Sequence, residues 1–252
     1  MKISIITVVW NNNETIRDAI NSVLGQTYKN IEYIIIDGAS TDGTVEIIKS
    51  YGDKISKFVS EPDKGLYDAM NKGIAQATGD VVGILNSDDF YIDKFVIEKV
   101  VKVFEEKEVD SVFADLIYVH ADNLDKVVRH YDSSKFSPKK FAYGWMPAHP
   151  TFFVKRSAYK KYGSFKTDYK IAADYELLVR FLYKYDLTYF YLQEIIIKMR
   201  MGGASTSGLK SNLILNQEII RACRENGIKT NMIKVLSKYP QKLMGLLKRK
   251  KL

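Results

Sequence analysis

The chain has 252 residues, of which 46% are apolar and 27% charged, with one cysteine and a net charge of +8 at neutral pH. This composition excludes disordered, collagen-like and fibrous classes, and a single cysteine cannot form an internal disulfide or a cysteine-based zinc site. Residues 1–9 are hydrophobic, but they run into a polar Trp-Asn-Asn-Asn sequence and are too short for a signal peptide or a membrane span. We therefore expect a cytoplasmic protein with a sizeable core.

The positive charge is concentrated at the C-terminus. Residues 238–252 carry six lysine and arginine residues and no acid, so the rest of the chain is close to neutral. Nucleic-acid binders usually spread their cations over one face of the fold, so nucleic-acid binding is the least favoured function. Leucines beside the cations favour contact of this tail with an anionic membrane surface. A solvated, frayed C-terminus is the alternative.

The first hundred residues alternate between strand and helix patterns. Apolar runs predict strands at 3–9, 31–36, 58–59 and 81–85, and apolar residues at helical spacing predict helices between them, one of them over 66–77. This alternation with short links predicts an α/β fold with a doubly wound, mostly parallel central sheet flanked by helices. Ligands bind outside the carboxyl ends of the strands in such sheets.

The remainder of the chain is less regular. The predicted elements are, in order, a helix at 97–104, a strand at 111–119, a polar hairpin-like stretch at 120–135, an irregular aromatic segment at 136–170, a helix at 173–185, a strand at 188–200 and two closing helices. We expect one compact domain over residues 1–205 and a helical C-terminal appendage over 206–252.

Polar residues follow three of the predicted strands at the point where each strand ends. These segments are Trp10-Asn11-Asn12, Asp37-Gly38 and Asn86-Ser87-Asp88-Asp89. Because the carboxyl ends of parallel strands meet at one edge, we expect them to line one cleft, with Asp88 and Asp89 exposed at its mouth. Neighbouring side chains in an extended chain point to opposite sides, so one carboxylate can bind a divalent cation while the other accepts from a hydroxyl. A solvated helix N-cap is the alternative for this pair.

Two familiar phosphate-binding signatures are absent from the sequence. The chain has neither G-x-G-x-x-G nor G-x-x-x-x-G-K-[ST], which disfavours a dinucleotide dehydrogenase and a P-loop enzyme. Asp37, at the end of a buried strand, can accept from an imide N–H or a ribose hydroxyl. Residues 61–71 place polar groups at the start of a helix, where Lys64 and backbone N–H groups can meet an anion. A surface turn is the alternative there.

Taken together, these segments resemble a known enzyme family. The matching stretches are T-V-V-W-N-N at 7–12, D-G-A-S-T-D-G-T at 37–44, A-T-G-D at 77–80 and N-S-D-D at 86–89. In identity, order and spacing they are similar to the successive motifs of the family 2 glycosyltransferases, inverting enzymes of the GT-A type. The resemblance is strong over residues 1–110, which would bind a nucleotide sugar. It continues more loosely over 111–205, which would hold the acceptor side and the catalytic base.

The resemblance implies specific residues for the nucleotide. Thr7, Val9 and Asn12 would line the nucleotide pocket, and Asp37 would contact uracil or its ribose. The family commonly carries a second aspartate directly after the first, where this chain has Gly38. We therefore expect hydrogen bonding to the base to differ from the common pattern.

The resemblance also implies residues for the diphosphate and the sugar. The loop residues Asp63, Lys64 and Gly65 would contact the nucleotide. Asn86 would also bind the donor, and Asp88 would approach the ribose or the sugar. Asp89 would hold Mn²⁺ or Mg²⁺ bridging the diphosphate. Arg200 lies in 199–205, which resembles a flexible segment that closes over the donor, and would pair with phosphate oxygens. A surface salt bridge is the alternative for Arg200.

The candidate catalytic base lies in the second half. Asp174 opens a helix where similar enzymes carry an acidic dipeptide, although this chain has Asp-Tyr in place of the more usual Glu-Asp. An inverting transfer needs a carboxylate to take the proton of the attacking hydroxyl, and a metal to neutralise the departing diphosphate. Glu176 is the reserve candidate. His149 lies in a loop between two prolines and would contact the diphosphate, the metal or an acceptor phosphate. A structural role is the alternative for His149.

We predict an inverting glycosyltransferase that moves a hexose or N-acetylhexosamine from a metal-bound UDP-sugar to a hydroxyl of a saccharide acceptor. Resembling enzymes imply a lipid-linked acceptor in capsule, O-antigen or exopolysaccharide synthesis, with the basic tail on the inner membrane face. A sugar nucleotidyltransferase is one alternative, but residues 10–13 lack its glycine-rich basic signature. A non-catalytic nucleotide-sugar or membrane-binding protein is the other, and the acidic residues of the motifs argue against it.

Overall fold

A computed structural model describes residues 1–201 and 208–238 of the chain. The strands within these residues are β1 (Ile3–Val9), β2 (Ile31–Asp37), β3 (Lys57–Ser60), β4 (Val81–Ile84), β5 (Asp89–Tyr91), β6 (Ser111–His120), β7 (Asn123–Tyr131), β8 (Phe153–Lys155) and β9 (Tyr189–Arg200). The α-helices are α1 (Ile16–Leu24), α2 (Thr44–Lys49), α3 (Leu66–Gln76), α4 (Val96–Glu106), α5 (Arg156–Tyr162), α6 (Ala173–Val179), α7 (Gly208–Glu225) and α8 (Met232–Leu236). A π-helical turn, Arg180–Lys184, extends α6.

The strands form one sheet in the order β3-β2-β1-β4-β8-β6-β9-β5, and β7 pairs with β6. Neighbours from β3 to β4 are parallel, as are β6 and β9. Strands β5, β7 and β8 run against the rest. The predicted α/β fold with a mostly parallel sheet flanked by helices is therefore confirmed.

Three short elements depart from the sequence prediction. The segment 136–170, expected to be irregular, contains β8 and α5. Strand β5 begins at Asp89, within the stretch expected to be a polar loop, because it pairs with β9 more than a hundred residues further on. Strands of three residues carry too little alternation to be recognised from sequence, and their partners are distant.

The core lies on both faces of the sheet. Ile6 and Val8 point to the face covered by α3, α6 and α7, whereas Ile3, Ile5 and Val9 point to the face covered by α1 and α4. This division follows from the period of two along a strand. Because both faces are covered, the central strands read as continuous apolar runs.

The described part of the C-terminal segment packs into the same core as α6. Helix α7 buries Ile219, Ala222 and Cys223 there, and Val235 of α8 joins them. The predicted boundary at residue 205 stays a prediction. Most of the basic tail and the glycine pair at 202–203 lie outside the described residues. Among the described residues, no helix has both the length and the hydropathy needed to cross a membrane.

Candidate active site

The loops that follow the parallel strands meet at the carboxyl edge of the sheet. The side-chain N–H of Asn12, after β1, donates to Ser87 Oγ, after β4, at 2.8 Å. The backbone N–H of Asn12 donates to Thr44 Oγ1 at 2.9 Å, which ties in the loop after β2. Asn12 therefore joins three of the predicted motifs at one place, as the sequence analysis expected of a cleft.

Asp37 is fully buried at the end of β2. Its carboxylate accepts from the backbone N–H of Ser40 at 3.0 Å, from Ser60 Oγ at 2.7 Å and from the hydroxyl of Ser40. The Ser60 hydroxyl thus joins the ends of β2 and β3, and Ser40 fixes the loop after β2. In the structure the carboxylate holds the loop after β2 in place. The contact of Asp37 with a base or ribose stays a prediction.

Two of the predicted nucleotide residues point into the protein. Thr7 is fully buried, and its Oγ1 lies 3.1 Å from the hydroxyl of Tyr33 inside the sheet. Val9 packs in the core beneath α1. Its carbonyl accepts from the backbone N–H of Gly38 at 2.9 Å, which sets the start of the loop after β2. The structure does not bring these two side chains to the cleft.

Gly38 leaves room for the carboxylate of Asp63. A Cβ added at Gly38 would lie 2.5 Å from Asp63 Oδ2 and 3.3 Å from Trp10 Cδ1. The other oxygen of Asp63 accepts from the backbone N–H of Gly65 at 2.7 Å, just before α3 begins, while Lys64 between them is exposed. A carboxylate therefore does stand beside residue 38, but it comes from the loop before α3.

Asp89 is fully buried, which corrects the expectation of an exposed pair. It begins β5 and pairs with Met199, so the end of β9 covers it. Burial and the nearby charge of Asp88 raise the pKa of Asp89 well above its usual range. Asn86 donates to Asp89 Oδ2 at 3.2 Å, while Asn86 Oδ1 and Asp89 Oδ1 are buried without a hydrogen-bond partner.

Those two orphan oxygens have the chemistry of a hard-cation site. Buried polar atoms are nearly always hydrogen-bonded, so an exception calls for a missing partner. Carboxylate and amide oxygens are ligands that Mg²⁺ and related ions prefer. No cluster of three acidic, histidine or cysteine side chains suited to a metal occurs in residues 1–201 and 208–238. An ion bound there would have Asn86 Oδ1 and Asp89 Oδ1 as protein ligands.

Arg200 holds in place the loop that carries Asp88 and Asp89. Its Nη1 donates to the backbone carbonyl of Asp88 at 2.7 Å, its Nη2 pairs with the carboxylate of Asp18, and the guanidinium lies 5.0 Å from the centre of the Phe90 ring. The side chain is buried. Burial raises the pKa of Asp88, and the charge of Arg200 opposes that rise. The pairing of Arg200 with phosphate stays a prediction.

A cavity of about 250 Å³ opens beside these loops. Its lining brings Asn86, from the donor-side motif, together with Asp174 and His149 from the second half of the chain. The other lining residues are mostly apolar or aromatic and include Tyr67, Met70, Leu116, Tyr118, Tyr131, Met146 and Met199. The tyrosines of β6 and β7 were missed from sequence, because aromatic residues in strands are usually core.

Asp174 faces this cavity from the first turn of α6. Its carboxylate accepts from the backbone N–H of Tyr175 at 2.7 Å. Burial raises the pKa of Asp174 above its ordinary value, although the neighbouring His149 opposes the rise. A carboxylate with a raised pKa in a mostly apolar cavity is the expected environment of a general base.

Glu176 lies in the core instead. It is fully buried, and its carboxylate pairs with Arg180 at 2.9 Å and Lys166 at 3.1 Å and accepts from Asn226 at 3.2 Å. Arg180 also donates to the backbone carbonyls of 163 and 164. Glu176 therefore holds α6 against its surroundings. Of the two candidate bases, only Asp174 lines the cavity.

His149 shares the cavity with Asp174. Its ring packs edge-on against Phe165, with centroids 6.0 Å apart, and Phe165 stacks on Tyr67. Burial lowers the pKa of His149, whereas the charge of Asp174 raises it. A neutral imidazole donates a hydrogen bond from one ring nitrogen and accepts one at the other. His149 can therefore contact a substrate beside the base.

The mostly parallel α/β sheet, with Asn86 and Asp174 lining one cavity, has the arrangement expected of a glycosyltransferase of the GT-A type. The chain belongs to glycosyl transferase family 2, since the model of that family matches residues 4–163. It is 33% identical to an uncharacterized glycosyltransferase of Mycobacterium tuberculosis over 180 residues, which are 71% of this chain and 68% of the relative. The chain is thus an enzyme of the glycosyltransferase class.

Solved structures share the fold at low sequence identity. The crystal structure of residues 1–349 of S. aureus TarS in complex with UDP-GlcNAc superimposes with a TM-score of 0.72 and 17% identity, covering 100% of this chain and 77% of that one. The mannosyltransferase PcManGT of Pyrobaculum calidifontis, in complex with GDP-Man and Mn²⁺, gives a TM-score of 0.65 and 17% identity, covering 94% and 68%.

Proposed function

We propose that the protein transfers a hexose or N-acetylhexosamine from a UDP-sugar to a hydroxyl of a saccharide acceptor, with inversion at the anomeric carbon. The observation that carries this proposal is the shared cavity, in which Asn86 of the N-S-D-D loop and Asp174 face the same space. A donor held at the carboxyl edge of the sheet would present its sugar to that space. An acceptor hydroxyl entering from the side of α6 would meet Asp174.

Asp174 acts as the general base in this reaction. As the acceptor oxygen attacks the anomeric carbon, its proton passes to the carboxylate of Asp174, and the bond from that carbon to the diphosphate oxygen breaks. The raised pKa of Asp174 makes it a stronger proton acceptor than an ordinary aspartate while leaving it ionised above that pKa. The apolar lining, including Met70 and Leu116, keeps competing water from the reacting centre.

Asn86 and Asp89 would hold a divalent cation, because their buried orphan oxygens fit an oxygen-binding ion. When bound, Mn²⁺ or Mg²⁺ neutralises the negative charge that develops on the departing diphosphate. The structure of PcManGT with GDP-Man and Mn²⁺ supports this assignment. Arg200 contributes by fixing the loop, since it bonds the carbonyl of Asp88 and pairs with Asp18.

The nucleotide would lie over the loops after β1, β2 and β3. Asn12 and Asp37 organise these loops, and the carboxylate of Asp63 stands beside Gly38 at their edge. We assign uracil as the base, following the UDP-GlcNAc complex of TarS, while the GDP-Man complex of PcManGT defines the alternative. The two donors differ in the size and hydrogen bonding of the base, so binding measurements separate them.

Thermal unfolding with UDP, GDP and CMP, each with and without Mn²⁺, tests the donor site. A ligand at one hundred times its Kd adds about 2.7 kcal/mol of stability. For a chain of this size that corresponds to a rise in Tm of about 5–10 °C. We expect a UDP-selective rise that requires Mn²⁺ and is lost in Asp89→Ala. Equal rises for all three nucleotides would contradict the choice of uracil, and no rise for any would contradict the donor site.

We also propose that the protein sits on an anionic membrane surface and uses a lipid-linked acceptor, as in surface polysaccharide synthesis. The support is the basic, leucine-containing tail, together with α8, where Ile233 is 82% exposed and Leu236 41% exposed beside Lys234. Deleting residues 239–252 keeps the buried Lys238 and should release the protein from anionic vesicles while leaving the UDP response unchanged. Undiminished vesicle binding by the truncated chain would refute the role of the tail.

A further inference from the structure

We infer that a second pocket beside the active cavity binds a phosphate group carried by the acceptor saccharide, an inference that rests on the proposed transfer reaction. This acceptor pocket has a volume of about 300 Å³. It shares Tyr131 and Met146 with the active cavity, so the two spaces are adjacent. Its remaining walls come from the end of β7, the loop that follows it and residues 140–145.

The lining of the acceptor pocket is cationic. Arg129, Lys135 and Lys140 all contribute to it, and within residues 1–201 and 208–238 none of the three forms an ion pair with a carboxylate. The acid in the lining is Asp132, whose carboxylate accepts from the backbone N–H of Ser134 at 2.8 Å. Burial raises the pKa of Asp132, but the hydrogen bonds of Ser134 and the charges of His130 and Lys135 lower it below its usual value. Three cations and one acid around one concave space leave an excess of positive charge, which favours a multiply charged anion.

The walls of this pocket are fixed by buried hydrogen bonds. The carboxylate of Asp115 accepts from the backbone N–H of Ser133 at 2.8 Å, and Ser133 Oγ accepts from the backbone N–H of Ala148 at 3.2 Å. Tyr131 donates to the carbonyl of Met146 at 2.9 Å, across the boundary with the active cavity. The cations therefore project from a preorganised frame that continues to the loop of His149.

Arg129 lies between the acceptor pocket and the active cavity. Its guanidinium lies 5.6 Å from the centre of the Tyr118 ring and 5.5 Å from that of Tyr131, and both rings line the active cavity. Trp145 also lines the pocket and offers a large ring of the kind that packs against a sugar face. An acceptor with its hydroxyl near Asp174 would thus place a phosphate among these cations.

Phosphate on an acceptor saccharide can come from two sources, a lipid diphosphate that carries the sugar or a phosphorylated glycan without lipid. Three probes distinguish them: decyl diphosphate-linked N-acetylglucosamine, decyl N-acetylglucosaminide without phosphate, and N-acetylglucosamine 1-phosphate without lipid. Binding of each to the full chain is measured by calorimetry in the presence of saturating UDP and Mn²⁺. The added UDP fills the donor site, so that the probes cannot bind there.

We expect the chain to bind the decyl diphosphate probe about tenfold more tightly than the neutral decyl probe, since each charge-assisted contact contributes this much. In Lys135→Ala/Lys140→Ala that preference should fall to about twofold or less. The matched control Lys126→Ala/Lys139→Ala removes the same charge from exposed residues outside the pocket and should keep the preference. Arg129→Gln provides a second test that leaves both lysines in place.

The binding affinities of the probes support or refute the acceptor pocket. Equal affinity of the wild-type chain for charged and neutral decyl probes would overturn it, as would equal losses in the pocket variant and the control variant. Tighter binding of the decyl diphosphate than of the sugar phosphate assigns the lipid-linked source, and equal binding assigns the phosphorylated glycan. A chain that shows no response to UDP refutes the proposed function, whereas a UDP response without phosphate preference refutes only the acceptor pocket.

Discussion

Glu32 at the amino edge of the parallel sheet and Asp89 at its carboxyl edge are both buried, but their carboxylates differ in the number of hydrogen bonds they accept. At the amino edge, Glu32 accepts from Ser4 Oγ at 2.6 Å, from Thr78 through its backbone and hydroxyl at 2.7 Å, and from Lys2 at 3.0 Å. At the carboxyl edge, Asp89 keeps an oxygen without any partner, and Asp174 has the backbone N–H of its neighbour. Glu32 is therefore fully hydrogen-bonded, as is Asp37 at the carboxyl edge, whereas Asp89 and Asp174 are short of donors.

The pKa values record this difference. Burial alone would raise the pKa of Glu32, but hydrogen bonds from Ser4, Thr78 and Lys2 lower it to about 2. Burial raises the pKa of Asp89 and of Asp174, and their neighbours do not offset it. Carboxylates of the first kind stabilise the fold, whereas those of the second kind reduce stability and are typical of functional sites. Four experiments test this difference and the site that depends on it.

Replacing Asp174 by asparagine should have the largest effect. Loss of the general base is expected to lower the rate of sugar transfer by about a thousandfold. The same change removes a carboxylate whose folded pKa is raised, so at neutral pH the melting temperature should rise. Turnover with the donor and acceptor, together with thermal unfolding, measures both effects on one sample.

The matched control for this change is Glu176→Gln, two residues further along the same helix. It breaks a fully buried pairing with Arg180 and should lower the melting temperature, while the folded variant keeps its turnover at a permissive temperature. If Asp174→Asn retained full turnover, or Glu176→Gln abolished it in folded protein, the assignment of the base would be wrong.

Glu32→Gln should show the converse behaviour at the amino edge. The amide replaces a carboxylate that accepts several hydrogen bonds from Ser4, Thr78 and Lys2, so the free energy of unfolding should fall by about 2–3 kcal/mol while UDP binding stays unchanged. Because the folded pKa is lowered, the stabilisation by Glu32 is present above the unfolded pKa and is lost as the pH falls towards about 2. Urea unfolding at neutral and acidic pH measures this.

Glu46→Gln serves as the comparison, since Glu46 is exposed on α2. Surface changes of this kind alter stability by no more than about 0.5 kcal/mol. An equal loss in the two variants would show that the hydrogen bonds around Glu32 add no stability, and the contrast between Glu32 and the carboxylates of the site would fail.

The amino-acid sequence predicts the parallel half of the sheet well, because its strands are long apolar runs followed by turn residues. It also predicts Asp174 at the start of a helix. It does not predict that Asp89 is buried, because β9 covers it from more than a hundred residues away. Nor does alternation along β1 show that Thr7 bonds Tyr33 inside the sheet. Local patterns define elements, whereas the exposure of a site residue depends on distant contacts.

The pH dependence of transfer should follow Asp174 as well. The base must be ionised, so below its pKa the rate should fall by about tenfold for each unit of pH. Since burial raises that pKa, this fall should begin at a higher pH than the ordinary aspartate value of about 3.9 would give. A profile of kcat/KM against pH measures the position of the acid limb.

His149→Gln is the check on this profile. Where His149 is protonated, its charge lowers the pKa of Asp174, and removing it should move the acid limb further towards neutral pH. Glu218, whose charge acts in the opposite sense, is unchanged in this variant. An acid limb at the ordinary aspartate position in both proteins would show that the cavity does not tune the base.

The smallest effect is expected at Gly38, where the fold admits the carboxylate of Asp63. The added Cβ of Gly38→Ala would lie 2.5 Å from Asp63 Oδ2 and must displace it, so the affinity for UDP should fall by about fivefold, as for one lost hydrogen bond. Asp63→Ala should cause a similar loss. If the two residues act through this one contact, the double variant Gly38→Ala/Asp63→Ala is no weaker than Asp63→Ala alone. Additive losses would instead mean that Gly38 and Asp63 affect the nucleotide separately, and that the loop before α3 does not supply the carboxylate absent at residue 38.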